Sequence, residues 1–236
     1  MQFRRISPLN RFGYAFVMLA LTLLAIATRA DAQQGGFAAA EDAVARNRAA
    51  LRQYTWIQTT QISLKGDVKA TKVESVLYGP DGQQQKTVIS APQPKQEPGI
   101  RGRIEEHEED ELKNTLESAS VLVQSYVPPA PEKLQAAVAA GNMQVLTAQP
   151  GQAILAFANY QLPGDSLTLT MNLQPSVMQT IDVSTWMDSP DNTVTLVVQM
   201  QQLPDGTNYP QLSTLTIPSK NIQVMVNNSD FQKVGM

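Results

Sequence analysis

The chain has 236 residues, with 18 Lys and Arg against 21 Asp and Glu, a single histidine (His107) and no cysteine. Without cysteine there are no disulfide staples, thiol nucleophiles or cysteine-ligated zinc, and one histidine cripples Ser-His-Asp and multi-histidine metal chemistry. The net charge of −3 argues against nucleic acid and anionic surfaces as partners.

The first segment reads as a leader. Arg4, Arg5 and Arg11 make a basic start, residues 12–27 are almost wholly apolar, and Ala30-Asp31-Ala32 is a small-x-small pattern. This predicts a signal peptide over 1–32, with cleavage before Gln33. The apolar run falls short of the ~20 residues that cross a bilayer, so no stable transmembrane anchor is expected after cleavage. Cleavage removes four of the 18 Lys and Arg and one of the 21 Asp and Glu, which leaves −6. The mature chain, 33–236, is then expected as one periplasmic or secreted domain, large enough to bury a core without disulfides.

Residues 37–54 have helical spacing, with Ala40, Val44, Leu51 and Tyr54 on one stripe. The period then changes to two: Trp56, Ile62 and Leu64 fall on alternate positions of a strand. Lys65-Gly66-Asp67 is a turn, 68–78 a second strand, Gly79-Pro80-Asp81-Gly82 a stronger turn and 83–90 a third strand. A Pro-rich loop over 91–102 follows. A long helix is expected over 104–127, opened by Glu105, Glu106, Glu108, Glu109, Asp110 and Glu111, where carboxylates suit the helix dipole. Its apolar stripe is Leu112, Leu116, Ala119, Val123 and Tyr126, and Pro128-Pro129 ends it. Residues 131–140 form a second, short helix with Pro131 in its first turn and Gly141 just beyond.

Everything after 142 reads as strand and turn. Strands are expected near 143–147, 153–158, 166–173, 177–187, 193–203, 211–217 and 222–227, separated by Pro/Gly/Asp turns. Leu167, Leu169, Met171 and Leu173 alternate with Ser and Thr, and Ile181 with Val183, then Val194, Leu196 and Val198, repeat the pattern. The result is an antiparallel sheet with one apolar face and one Thr/Gln/Asn face.

The acidic run around His107 could supply a divalent cation or a carboxylate pair, but it lacks converging ligands and turn-forming Gly or Asn. A solvated helix start is the simpler reading. A hydrolase would need Asp182 or Glu74 beside a second carboxylate, and nothing in the spacing places one there. No Gly-rich phosphate loop or Gly-x-Ser-x-Gly elbow occurs. No enzyme activity, cofactor or metal is therefore expected.

The apolar face is the remaining candidate. A long twisted meander curls, and helices that fill its hollow incompletely would leave room for an acyl chain. The residues expected to line it are Trp56, Ile62, Leu64, Leu167, Leu169, Met171, Ile181, Val183, Val194, Leu196 and Val198. The ordinary alternative is a filled core under the same helices.

The order of leader, helix, hairpin set, helical excursion and long meander resembles the LolA-like group of periplasmic lipoprotein carriers. The stretches that carry the resemblance are YTWIQTTQISLKGDVKATKVESVLYGPDG, SLTLTMNLQ, NTVTLVVQMQQLPDGTNYPQLSTLTIP and KNIQVMVNNSDFQKV. It implies an α+β, mainly antiparallel fold: an unclosed β-barrel, or half-barrel, with helices covering the concave face. It also implies a carrier for lipid, acyl chains or an acylated protein. Two departures stand out. Those carriers hold the lid with an arginine from an early strand, whereas here the early strands carry Lys65, Lys69, Lys72 and Lys86 and no arginine follows Arg103. The 91–141 loop and helical insertion is also long. A competing expectation is a non-catalytic cell-envelope interaction protein that binds another protein through a sheet edge or the acidic helix.

Overall fold

Alternating Val, Ile, Leu and Thr favour pleated strands with one buried face, and ten such strands form among the described residues. The computed structural model describes residues 46–91, 100–146, 150–173 and 176–234. The expected leader, the first part of the 37–54 helix and loop residues 92–99 lie outside these.

The strands are β1 (Tyr54–Leu64), β2 (Asp67–Tyr78), β3 (Gln84–Ser90), β4 (Met143–Leu146), β5 (Gln152–Ala158), β6 (Ser166–Leu173), β7 (Ser176–Trp186), β8 (Thr193–Gln202), β9 (Asn208–Ile217) and β10 (Ile222–Lys233). The helices between β3 and β4 are α1 (Ile100–Gln124) and α2 (Pro131–Ala139). One sheet takes all ten strands in the order β3-β2-β1-β10-β9-β8-β7-β6-β5-β4. Every neighbouring pair is antiparallel. β3 and β4 are its two ends, so the barrel is unclosed.

That order decides where the helices go. The chain leaves the sheet at β3, one edge, and returns at β4, the other. The connection must therefore cross the full width of the sheet, about 43 Å when flat at ~4.8 Å per strand spacing. The 25 residues of α1 supply about 38 Å at ~1.5 Å each. The long insertion is thus a strap across one face, tied to both edges.

The strap buries the apolar stripe read from the sequence. Leu116, Ala119 and Val123 of α1, Tyr126 in the turn that follows it, and Leu134 and Ala137 of α2 join one core cluster with Leu155, Phe157, Leu167, Leu169, Ile181, Val183, Val194, Leu196, Val198, Leu215, Ile217 and Val224 of the sheet. Leu112 packs against it, partly buried.

Four expectations need correction. Residues 46–51 are helical, but Tyr54 opens β1 opposite Lys233 of β10 instead of ending a helix. The run Tyr54-Thr55-Trp56-Ile57 is aromatic and β-branched, which suits a pleated surface. α1 starts at Ile100, not 104, so its first turn holds no acidic residue and the acidic run falls in later turns, where the dipole favours it less. α1 also ends at Gln124, before the expected 127. β10 runs on to Lys233 rather than stopping at 227, because Asp230, at φ 54°, absorbs a bulge that lets the strand follow β1 to its start.

Candidate functional site

The face under the helices has two chemically different parts. The first is apolar. Of the residues expected to line a ligand face, Leu167, Leu169, Met171, Ile181, Val183, Val194, Leu196 and Val198 are buried in the core cluster, and Ile62 and Leu64 pack against it partly buried. The strands therefore bring ten of the eleven together in one cluster beneath α1 and α2.

Trp56 is buried but belongs to a separate aromatic group. Its ring stacks on Phe231 at 5.4 Å and tilts against Tyr78 at 5.7 Å, and Tyr209 meets Phe231 at 4.3 Å. Its indole N–H donates to Asn228 Oδ1 at 3.1 Å.

The second part is polar and lies between that aromatic group and the core. β1 alternates cleanly, so Gln58 and Thr60 share the face of Trp56, Ile62 and Leu64, and both are buried. Across the ladder Gln58 faces Glu74, Thr60 faces Lys72, and Trp56 faces Val76, which in turn faces Lys86 of β3. Glu74 is 4% exposed. Lys72 Nζ lies 2.5 Å from Glu74 Oε1, and Lys86 Nζ donates to Gln58 Oε1 at 3.2 Å. Burial pulls the Lys86 ammonium down to about 8; nearby Glu74 opposes the shift and Lys72 adds to it. One position along β3 on the same face, both polar atoms of the Gln84 side chain are buried without a hydrogen-bond partner.

The sequence reading missed this polar part because it took only Trp56, Ile62 and Leu64 of β1 as the inward side. The signal was present: Gln58 and Thr60 occupy the same parity as Trp56, Ile62 and Leu64.

The strap is fixed to the sheet by polar contacts at its C-terminal end. The Tyr126 hydroxyl donates to Asp165 and takes a hydrogen bond from Thr185, at 2.5 and 2.7 Å. Ala130 N donates to the Tyr160 hydroxyl at 3.0 Å, Lys133 Nζ to Gln161 Oε1 at 2.6 Å, and the Gln161 amide to Ser125 O. Nearer its N-terminal end, the exposed Glu111 pairs with Lys220 at 2.8 Å.

The two carboxylates singled out for hydrolase chemistry lie on opposite faces. Glu74 faces the helices, whereas Asp182 sits between the core residues Ile181 and Val183, points the other way and accepts from Thr180 at 2.9 Å. Among the described residues no group of three or more His, Cys, Asp or Glu is arranged to hold a metal ion. No described helix is long and apolar enough to cross a membrane.

No protein family model matches the chain, and no curated protein does. Solved structures are similar in arrangement. A LolA superfamily protein from Nitrosomonas europaea matches at 8% identity, with 83% of this chain and 94% of that one covered and a TM-score of 0.36. A DUF1329 family protein from Desulfovibrio piger matches at 11% identity, with 81% and 92% covered and a TM-score of 0.33. The unclosed ten-stranded sheet crossed by helices stands on the strand order itself.

Proposed function

We propose that this chain is an exported, non-catalytic carrier or binding protein for acyl chains, free or attached to a protein. The observation that carries this reading is the strap. α1 and α2 cover an apolar face built from non-adjacent parts of the chain, and they are tied down by polar contacts at their ends rather than by a closed barrel. A strap that lifts exposes one continuous apolar strip, and an acyl chain laid there recovers about 0.8 kcal/mol per buried CH₂. The leader pattern of 1–32 supports a destination where such cargo is met.

The test exploits the absence of cysteine. Glu111→Cys with Lys220→Cys supplies the chain's only thiols, and a short bis-maleimide bridges strap to sheet. The bridged protein should take up a fluorescent fatty acid much more slowly than the same variant left unbridged. Equal uptake overturns the opening strap. Protein that stays empty in native mass spectrometry after incubation with a lipid extract overturns the carrier reading itself.

A second reading has its own observation. Apolar side chains stay exposed on both edge strands, Val88 and Ile89 on β3 and Val145 and Leu146 on β4. Such edges invite strand addition by another protein. Val145→Lys with Leu146→Lys should then abolish a co-purifying partner without changing lipid content.

A further inference from the structure

The polar part of the inner face carries more positive charge than its surroundings balance. Two ammonium groups, Lys72 and Lys86, flank one carboxylate, Glu74, and Lys72 already holds that carboxylate at 2.5 Å. Lys86 is left with the neutral Gln58 oxygen. Taking an ion out of water without a counter-charge costs several kcal/mol, so evolution removes such groups from ordinary cores. Here the apolar alternative was close at hand, since fully buried Val76 faces Lys86 across the ladder.

Gln84 is a second, independent sign. A buried carboxamide normally finds partners for its N–H₂ and its oxygen, yet both atoms of Gln84 have none. A lysine short of an anion and an amide N–H₂ short of an acceptor, two residues apart on one face of β3, both suit an oxyanion.

The adjoining surface says what that oxyanion is attached to. Thr60 is opposite Val226 and Ile62 opposite Val224, and both valines belong to the core cluster. On its β10 side the polar part therefore runs directly into the apolar face, while Lys72, opposite Thr60 on β2, marks its other border. The cluster also lies at the β1–β3 end of the sheet, so the tail of a ligand held there would extend toward β10 and β9.

We infer that Lys86, with Gln58 bonded to it and Gln84 next to it on the same face of β3, forms a head-group subsite for the carboxylate or phosphate of a single-chain amphiphile whose tail occupies the apolar part of the same face. Glu74 holds Lys72 and keeps the subsite from attracting bare anions strongly. This inference rests on the carrier reading and specifies its ligand class.

The experiment uses the full mature chain and displacement of a fluorescent acyl probe by palmitate, lysophosphatidate, neutral monopalmitin and inorganic phosphate. The wild-type protein should bind the anionic amphiphiles about ten-fold more tightly than monopalmitin, the size expected of one charge-assisted hydrogen bond. Lys86→Met should erase that preference and leave monopalmitin binding unchanged. Lys86→Arg should keep it. Palmitate preferred over lysophosphatidate marks a carboxylate head, the reverse a phosphate head, and either supports the subsite. Equal binding of anionic and neutral lipids by the wild type, or a Lys86→Met loss that is the same for both, overturns it and leaves the carrier reading standing. Inorganic phosphate that binds as tightly as lysophosphatidate also overturns the amphiphile assignment. A wild-type protein that displaces no probe with any lipid overturns both.

Discussion

Tyr126, two residues beyond the end of α1 and the last fully buried residue before Pro128-Pro129, places its hydroxyl 2.5 Å from Asp165 in the β5–β6 turn. Asp165 is 2% exposed, and its Oδ2 also accepts from the backbone N–H groups of Gln161 and Leu162. One carboxylate oxygen thus ties the turn to itself and to the strap. Because the single Tyr126 proton goes to Asp165, Thr185 donates to Tyr126.

Tyr126→Phe keeps the ring and deletes the tie. It should destabilise the protein by about 2 kcal/mol, the range for a hydrogen bond to a buried charged group. Urea unfolding measures this. Amide exchange should rise around 120–127 more than in β7 and β8, which would locate the loss at the strap. A uniform change would refute the tie.

Lys86 gives the protein an alkaline signature. Its folded value of about 8 lies below the ordinary 10.5, so between those values the unfolded chain binds more protons. Stability then rises with pH across that window, and below it the full cost of the buried charge stands. Lys86→Met lacks this dependence. The stability advantage of Lys86→Met over wild type should shrink by about 2 kcal/mol between about pH 7 and about pH 9.5. A constant difference across that range would contradict it.

Asp205 predicts the acid limb. The Tyr54 hydroxyl donates to it at 2.6 Å, and the Thr207 N–H and Lys233 ammonium approach at 3.1 and 3.3 Å. These hydrogen bonds, Tyr54's foremost, hold its carboxyl well below the usual carboxylate range. A depressed folded value contributes stability above the unfolded value of about 4, and that stability is lost as pH falls further. Thermal midpoints of Asp205→Asn should therefore fall less steeply than wild type below that pH. Parallel curves would show that Asp205 adds nothing.

Trp56→Phe tests the aromatic group next to the polar part. The change removes the indole donor to Asn228 and one ring of the Phe231 stack. A loss of about 2 kcal/mol is expected from the vacated volume and the unpaired Asn228 oxygen together. Asn228 also donates to Pro210 O at 2.8 Å, so β9 and β10 should loosen with it, visible as faster amide exchange at their shared end.

Much of this protein was legible from its sequence. The ten strands, the two helices and the buried stripe of α1 follow from local periodicity, because a pleat repeats every two residues and a helix nearly every four. β6 falls where alternation put it, at Ser166–Leu173. What periodicity does not carry is which strand lies beside which. Leu64 alternates the same way whether its neighbour is Ile222 or any other residue, and the pairing of β1 with β10 joins positions 158 to 179 residues apart in the chain (Leu64 with Ile222 at one end, Tyr54 with Lys233 at the other). That pairing sends β3 and β4 to opposite edges and turns the insertion between them into a strap. It also gathers Gln58, Glu74 and Lys86 from three strands onto one buried face, so that three unremarkable polar residues become a charged cluster only once non-local contacts have removed their water.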